Sequence, residues 1–229
     1  MGDTTASPTR LVWDLPLRGF HWCLVLSLAG SWVTHELGVQ WFEWHVRFGY
    51  VTLVLVGFRL AWGFVGPRHA RFASFLRGPA AVLGYLRGGG EAVGHSPLGA
   101  LSVLALLIAL LMQALTGLFA NDDIFNNGPL YGYVDKDTSD ALASLHRQGW
   151  DVLKVLVILH LLAIAYYQLV RRIDLLRPMW SGRKPAHKVP PGEEISSSRV
   201  LLAIVIVALL AAVLGAVVVT APEASLSFF

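Results

Sequence analysis

The stretch SLHRQGWDVLKVLVILHLLAIAYYQLVRR, Ser144 to Arg172, is apolar enough to lie in lipid yet carries His146 and His160. A histidine in such a setting costs free energy unless it is bonded, paired or coordinated, which makes it a candidate functional group. The two stand fourteen residues apart. On a helix they return to nearly the same face, offset by about 40° and separated by a rise of roughly 21 Å. Two ligands on one face at different depths suit two stacked haems. Trp150, Leu153 and Val157 lie between them, and Gly149 leaves out a side chain where a flat macrocycle could approach. Helix packing would use the same stripe, but the histidines at its ends favour a ligand role. Neutral imidazole is a common axial ligand of haem iron, and haem fits the apolar space between helices. Zinc would need three or four ligands converging on one point. A proton relay would recruit acidic groups inside the membrane, which these segments largely lack.

Ligands at two depths need a scaffold of membrane helices. Of the 229 residues, 55% are hydrophobic and only 14% charged, too few charges to coat a water-facing globule of this size. A bilayer core takes about 20 apolar residues per helix, and five runs approach that length: residues 17–34, 45–65, 98–119, 145–170 and 200–221. The third is broken only by Ser102, Gln113 and Thr116, and the fifth holds no charge. The first lacks a small-x-small cleavage site and is expected to be retained. A single cysteine, Cys23, excludes an internal disulfide and a Cys-x-x-Cys-His haem attachment.

Basic residues crowd the connection after the second run (Arg68, Arg71, Arg77 and Arg87, against Glu91) and the one after the fourth (Arg171, Arg172, Arg177, Arg183, Lys184, Lys188 and Arg199). After the third run, Asp122, Asp123, Asp135, Asp137 and Asp140 oppose only Lys136. Because Lys and Arg are retained on the cytoplasmic side of short loops, the N-terminus is expected inside and the C-terminus outside, with five crossings. The expected organisation is a cytoplasmic segment 1–16, a four-helix unit 17–183, a flexible Pro-, Gly- and Ser-rich linker 184–199, a fifth peripheral transmembrane helix 200–221 and an extracytoplasmic tail 222–229. The fold class is an all-α integral membrane protein.

In this orientation His21 and His160 lie near the cytoplasmic ends of their helices and His45 and His146 near the outer ends, which makes two bis-histidine pairs. His35, fourteen residues from His21 on the same helix, is a rival to His45 as the partner of His146. Arg18 and Arg147 lie near the interfaces, where each either neutralises a haem propionate through a bidentate pair or meets lipid headgroups. Arg59 lies near the inner end of the second run, where snorkelling toward the cytoplasm is the plain structural alternative to a functional role. Lys154, about 80° around the helix from His146, is expected to be a buried, hydrogen-bonded lysine, with a place on a quinone or proton path as the alternative. His69, His95 and His187 fall in loops and are expected to be solvated. RFASFLRGPAAVLGYLRGGG reads as either an interfacial segment or an ordinary polar loop.

Four stretches together carry a family resemblance: RGFHW, EWHVRFGYVTLVLVGFRLAWGF, TGLFANDDIFNNGPL, and LHRQGWDVLKVLVILHLLAIAYYQLVRR followed by RPMWSGRK. Over residues 11–185 the chain resembles the bacterial cytochrome b561 family, which includes the b-type cytochrome subunits of nickel-iron hydrogenases. The resemblance implies a four-helix bundle holding two b-type haems, ligated by His21 with His160 and by His45 with His146. His45 occupies the family's His-x-x-x-Gly position, and His35 has no matching role. The resemblance also implies a quinone as mobile redox partner. The fifth helix is similar to an extension found in some relatives.

Two haems stacked across a membrane let electrons pass between its faces, with the protein supplying ligation and tuning. The expected function is that of a b-type cytochrome in the bacterial cytoplasmic membrane. It would link the quinone pool to an extracytoplasmic redox protein, a c-type cytochrome or a hydrogenase, docked on the acidic loop NDDIFNNGPLYGYVDKDTSD. The alternative is a stand-alone superoxide:quinone oxidoreductase, although that loop would repel an anionic substrate. A transporter or structural anchor would carry no haem, and broken inverted repeats are absent. The expected partners are membrane lipid, quinone and a redox protein, with no nucleic acid and no catalytic residue.

Overall fold

The computed structural model describes residues 8–88, 92–124 and 126–222. The start of the expected N-terminal segment, nearly all of the expected tail, Glu91 of the second connection and Phe125 of the acidic loop lie outside these residues. The long elements are α1 (Leu15–Glu36), α2 (Phe42–Val65), α5 (Pro97–Phe119), α6 (Lys136–Leu169) and α8 (Val200–Val219). The short ones are β1 (Thr9–Leu11), α3 (Phe72–Phe75), α4 (Pro79–Leu86), α7 (Leu176–Ser181) and β2 (Arg183–Pro185). Among the described residues four helices are long and apolar enough to cross a membrane: Val39–Val65 with α2 in it, α5, α6 and α8. In α1 the apolar run is diluted by Arg18, His21, Ser27, Ser31, Thr34 and His35, and its crossing rests on the sequence reading alone.

The start of α6 departs from the expected boundary. It begins at Lys136, well ahead of Leu145, because Asp135 caps it: the Thr138 N–H donates to Asp135 Oδ1 at 2.8 Å and the Thr138 hydroxyl to Oδ2 at 3.0 Å. An Asp at the N-cap satisfies donors that a helix start leaves open, so part of the acidic segment is helix.

Backbone contacts divide the chain into two compact units, described in turn. The first comprises the chain up to Phe20, Arg59–Leu104 and Leu159–Ala203. Here Asp14 caps α1, accepting from the Leu17 N–H at 2.8 Å, and also accepts from the Trp62 indole at 3.1 Å. Strands β1 and β2 pair antiparallel, with Thr9 opposite Pro185 and Leu11 opposite Arg183. The following segment, expected to be a flexible linker, is instead tied down. The Ile195 N–H donates to the Leu11 carbonyl at 2.9 Å, Arg199 Nη1 donates to the Val65 carbonyl at 2.8 Å, and Val189 and Ile195 are buried. His69 is also buried rather than solvated, its Nε2 donating to the Glu193 carbonyl at 2.7 Å. His187 is exposed, as expected.

The second unit comprises His21–Phe58, Ala105–Ile158 and the chain from Ile204 on. Ser27 Oγ lies 2.9 Å from Thr52 Oγ1 and donates to the Phe48 carbonyl at 2.8 Å, tying α1 to α2. A Cβ at Gly30 would stand 2.5 Å from the Phe48 ring, so glycine is what lets these helices approach. Ser139 is fully buried, donates to the Phe119 carbonyl at 2.6 Å and accepts from Asn121 Nδ2 at 2.6 Å, which holds the start of α6 against the end of α5. Lys154 is not the buried lysine expected. It is exposed and pairs with Asp151, three residues back, at 2.8 Å.

Candidate cofactor site

Within the second unit, α1, α2, α5 and α6 bring three of the candidate histidines together. The rings of His45 and His146 lie 6.2 Å apart, centroid to centroid, at 85°, and those of His35 and His45 lie 5.8 Å apart. Two imidazoles bound to one metal ion at roughly 2.0–2.1 Å each put their ring centres about 6 Å apart, and both pairs meet that spacing. Hydrogen bonding separates them. His45 Nδ1 lies 2.9 Å from the Ser31 carbonyl, with Ser31 Oγ at 3.2 Å. His146 Nδ1 lies 2.9 Å from the Gln113 carbonyl, with Thr116 Oγ1 at 3.4 Å. A carbonyl accepts only, so each ring carries its proton on Nδ1 and leaves Nε2 unprotonated, the arrangement by which outer hydrogen bonds orient metal-binding histidines; His146 Nε2 in turn accepts from the Gln113 amide Nε2 at 3.3 Å. Among the described residues the His35 side chain makes no hydrogen bond, and it is exposed whereas His45 is half-buried.

These rings line a cavity of about 550 Å³, within the size range of cofactor pockets, roughly 300–1,000 Å³. His35, His45, Gly49, Gln113, His146 and Arg147 are in its wall, together with Trp150 of the expected stripe. Gly49, one turn from His45, adjoins open space: a Cβ there would meet nothing within 4 Å. Gly117 is required for close approach, because its Cβ would lie 2.8 Å from His146 Cε1. Gly149 makes room for Gln113, whose Oε1 would stand 2.6 Å from a Cβ at that position. Gln113 Oε1 is buried with no hydrogen-bond partner among the described residues, and its Nε2 lies 3.3 Å from His146 Nε2. Among the described residues no group of three or more His, Cys, Asp or Glu is placed to hold a metal ion. The donor set is therefore one of imidazole pairs, which fits the two axial positions of haem iron and not the closed coordination sphere of structural zinc.

His21 is placed in the second unit on α1, its ring edge-on to Trp22 at 5.0 Å, and His160 in the first unit on α6. Arg18, also in the first unit, donates from Nη1 to the Trp180 carbonyl. Ser31, Gln113 and Thr116 were not singled out as site residues from the sequence. The available signal was in α5, where Gln113 and Thr116 stand three residues apart, with Gly117 next to them, in an otherwise apolar run.

A family model described as Prokaryotic cytochrome b561 matches residues 12–182, more than half of the chain. No curated protein matches the chain, and no solved structure does.

Proposed function

The chain belongs to the prokaryotic cytochrome b561 family and is a multi-pass bacterial membrane protein, and from that premise we propose that it is a di-haem cytochrome carrying electrons between the membrane quinone pool and an extracytoplasmic redox protein. The observation that carries the reading is the facing pair His45 and His146, each with Nδ1 bonded to a backbone carbonyl, on a cavity of about 550 Å³. These two residues would hold one b-type haem. When bound, haem supplies a reversible one-electron couple whose potential follows its ligands and surroundings.

The chain's own residues do the positioning. The Ser31 and Gln113 carbonyls fix the tautomer and rotation of the two rings, so neither ring must turn to offer Nε2, and only the Gln113 amide, which donates to His146 Nε2 at 3.3 Å, has to move aside. Gly117 lets the His146 ring close on α5, and Gly49 leaves open space in the wall where a side chain would stand. Leu28, Leu110 and Trp150 line the cavity with apolar surface, which lowers its polarity and resists a gain of charge. Arg147, also in the wall, would neutralise a carboxylate there. The second haem rests on the sequence pairing of His21 with His160, and the choice of His45 over His35 on its hydrogen bond and burial. A cytoplasmic N-terminus and five crossings follow from the alternation of loop charge.

The acidic segment supports docking of a basic partner. Lys136 is the one cation among five aspartates between Asn121 and Asp140, and it is paired with Asp123 at 2.6 Å and Asp140 at 2.8 Å. A surface of this sign speeds association with an opposite charge and loses that effect in salt. The test is electron transfer in proteoliposomes, with quinol as donor and a basic c-type cytochrome as acceptor, followed at the haem absorption bands. The expected result is quinol-driven haem reduction, then reoxidation by the acceptor at a rate that falls as salt rises. Haems that stay oxidised with quinol would refute the quinone link. Turnover between superoxide and quinone without a protein partner would replace this reading with the stand-alone one.

A further inference from the structure

Arg59 does not snorkel. It is 2% exposed inside the first unit, and neither Nη1 nor Nη2 has a hydrogen-bond partner among the described residues. Its guanidinium carbon lies 4.9 Å from the ring of Phe72 and 5.7 Å from that of Phe75. Phe72 reaches this position because Gly63, one turn on from Arg59, leaves a notch; a Cβ there would lie 2.0 Å from the Phe72 ring. Stacking on aromatic faces offsets only part of the cost of taking a guanidinium out of water, since the in-plane N–H groups stay unbonded.

The neighbouring polar groups are already engaged. Asp14 accepts from Leu17 and Trp62 on Oδ1 and attracts the Arg59 charge from a distance, but makes no hydrogen-bonded ion pair with it among the described residues. His69 donates to the Glu193 carbonyl and Lys184 to the Val93 carbonyl at 2.8 Å. His95 packs on the same Phe75, ring centroids 4.5 Å apart, and on Trp13 at 4.8 Å, and its Nδ1 is also buried without a hydrogen-bond partner. Three unpartnered nitrogens around one phenyl ring are unusual, because buried polar atoms in native proteins are nearly always paired.

We propose that Arg59 and His95 form a binding site for a carboxylate. Two terminal nitrogens of one guanidinium match the two oxygens of a carboxylate in a planar fork, and His95 Nδ1 is available as a further donor. The nearby Asp14 carboxylate offsets part of the Arg59 charge without bonding its terminal N–H groups, and water would satisfy those groups singly, whereas a carboxylate meets both terminal nitrogens at once. The carboxylate comes from a porphyrin side chain or from a small free anion. Of the two arginines expected to meet a porphyrin carboxylate, Arg18 donates from Nη1 to the Trp180 carbonyl and keeps a buried Nε without a partner among the described residues, and Arg147 lies in the wall of the second unit's cavity. The porphyrin source rests on the haem reading above; the free-anion source does not.

The test uses the full-length protein in detergent, with haem content measured first, as wild type and as Arg59→Gln, Arg59→Lys and His95→Phe. If the carboxylate is a porphyrin's, Arg59→Gln lowers the midpoint potential of one haem by about tenfold in its oxidation equilibrium, 59 mV for one electron, because an unpaired anion favours the ferric state. Arg59→Lys recovers part of that shift. If the carboxylate is free, sodium acetate raises the unfolding temperature of the wild type beyond sodium chloride at equal ionic strength, and does not do so for Arg59→Gln. Should Arg59→Gln fail to fold, the acetate titration of the wild type and the potentials of His95→Phe decide. Unchanged potentials together with acetate acting as chloride does would overturn the proposal. A wild type without haem would defeat the haem reading, while the acetate titration still decides this one.

Discussion

Replacing Gly117 by alanine probes the ring of His146 without touching it. The added Cβ would stand 2.8 Å from His146 Cε1 and 3.1 Å from Nδ1. Carbon contacts are most favourable at about 3.5–4.0 Å, so the ring must move by about 0.7 Å or the helices must part. The ring is held from the other direction by its bond to the Gln113 carbonyl at 2.9 Å, which leaves little slack. Overpacking of this kind costs about 1–3 kcal/mol. At 1.4 kcal/mol per factor of ten, the bonded orientation of His146 becomes about 5- to 150-fold less favoured, and haem affinity at a site needing that orientation falls with it. The assay is haem per chain and the reduced-minus-oxidised spectrum of Gly117→Ala, beside Gly215→Ala, whose Cβ would meet nothing within 4 Å. Gly117→Ala is expected to lose most of one haem and Gly215→Ala to keep the full complement. A Gly117→Ala protein with unchanged haem content and spectrum would refute the claim that this ring position holds the cofactor.

Ser139→Ala at a fully buried position leaves the Phe119 carbonyl without its donor and removes one of the two bonds of Asn121 Nδ2, which keeps Asp140, and is expected to destabilise the second unit by about 1–3 kcal/mol, read as a lower unfolding temperature. An unchanged temperature would mean that these bonds do not hold the α5–α6 junction. Acid should weaken the fold through His95, whose pKa is pushed down to about 3 by burial, with Arg59, His69 and Lys184 adding to the shift. The unfolded imidazole takes up its proton near pH 6.5 and the folded one does not until about 3, so stability is full above that window and falls as pH drops through it, by up to about 1.4 kcal/mol per pH unit. His69, lowered chiefly by burial, adds in the same direction. Unfolding temperatures between pH 8 and 4 should show a shallower slope for His95→Gln, and an identical slope would dismiss His95 as its source. Gly63→Ala should push Phe72 off Arg59 and make the α3 segment more sensitive to proteolysis, because the notch that Phe72 fills is gone; unchanged cleavage would count against that packing.

The long apolar helices were legible because the lipid core dictates both their length and their composition, as α5 and α8 illustrate. His35, His45 and His146, which the structure brings together, stood out for a related reason, since each ring in an apolar helix demands a partner. What misled was the equation of loop with water. His69 and His95 were expected to be solvated, yet they are packed by Trp13, Phe75 and the Glu193 carbonyl, residues far apart in sequence. The pairing of Thr9–Leu11 with Arg183–Pro185 was hidden for the same reason, as neither triplet has a strand-like run of its own. The early start of α6 depends on a cap, Asp135, within a segment read for its net charge alone. Gln113 and Thr116 were visible as polar breaks in an apolar run, but that their backbone and hydroxyl address His146 is a fact of packing.

Haem content per chain in the wild type, His45→Ala and His35→Ala tests the central claim most directly. The account predicts two haems in the wild type, one in His45→Ala and two in His35→Ala. Two haems retained in His45→Ala, or a wild type that binds none when expressed with ample porphyrin, would contradict it.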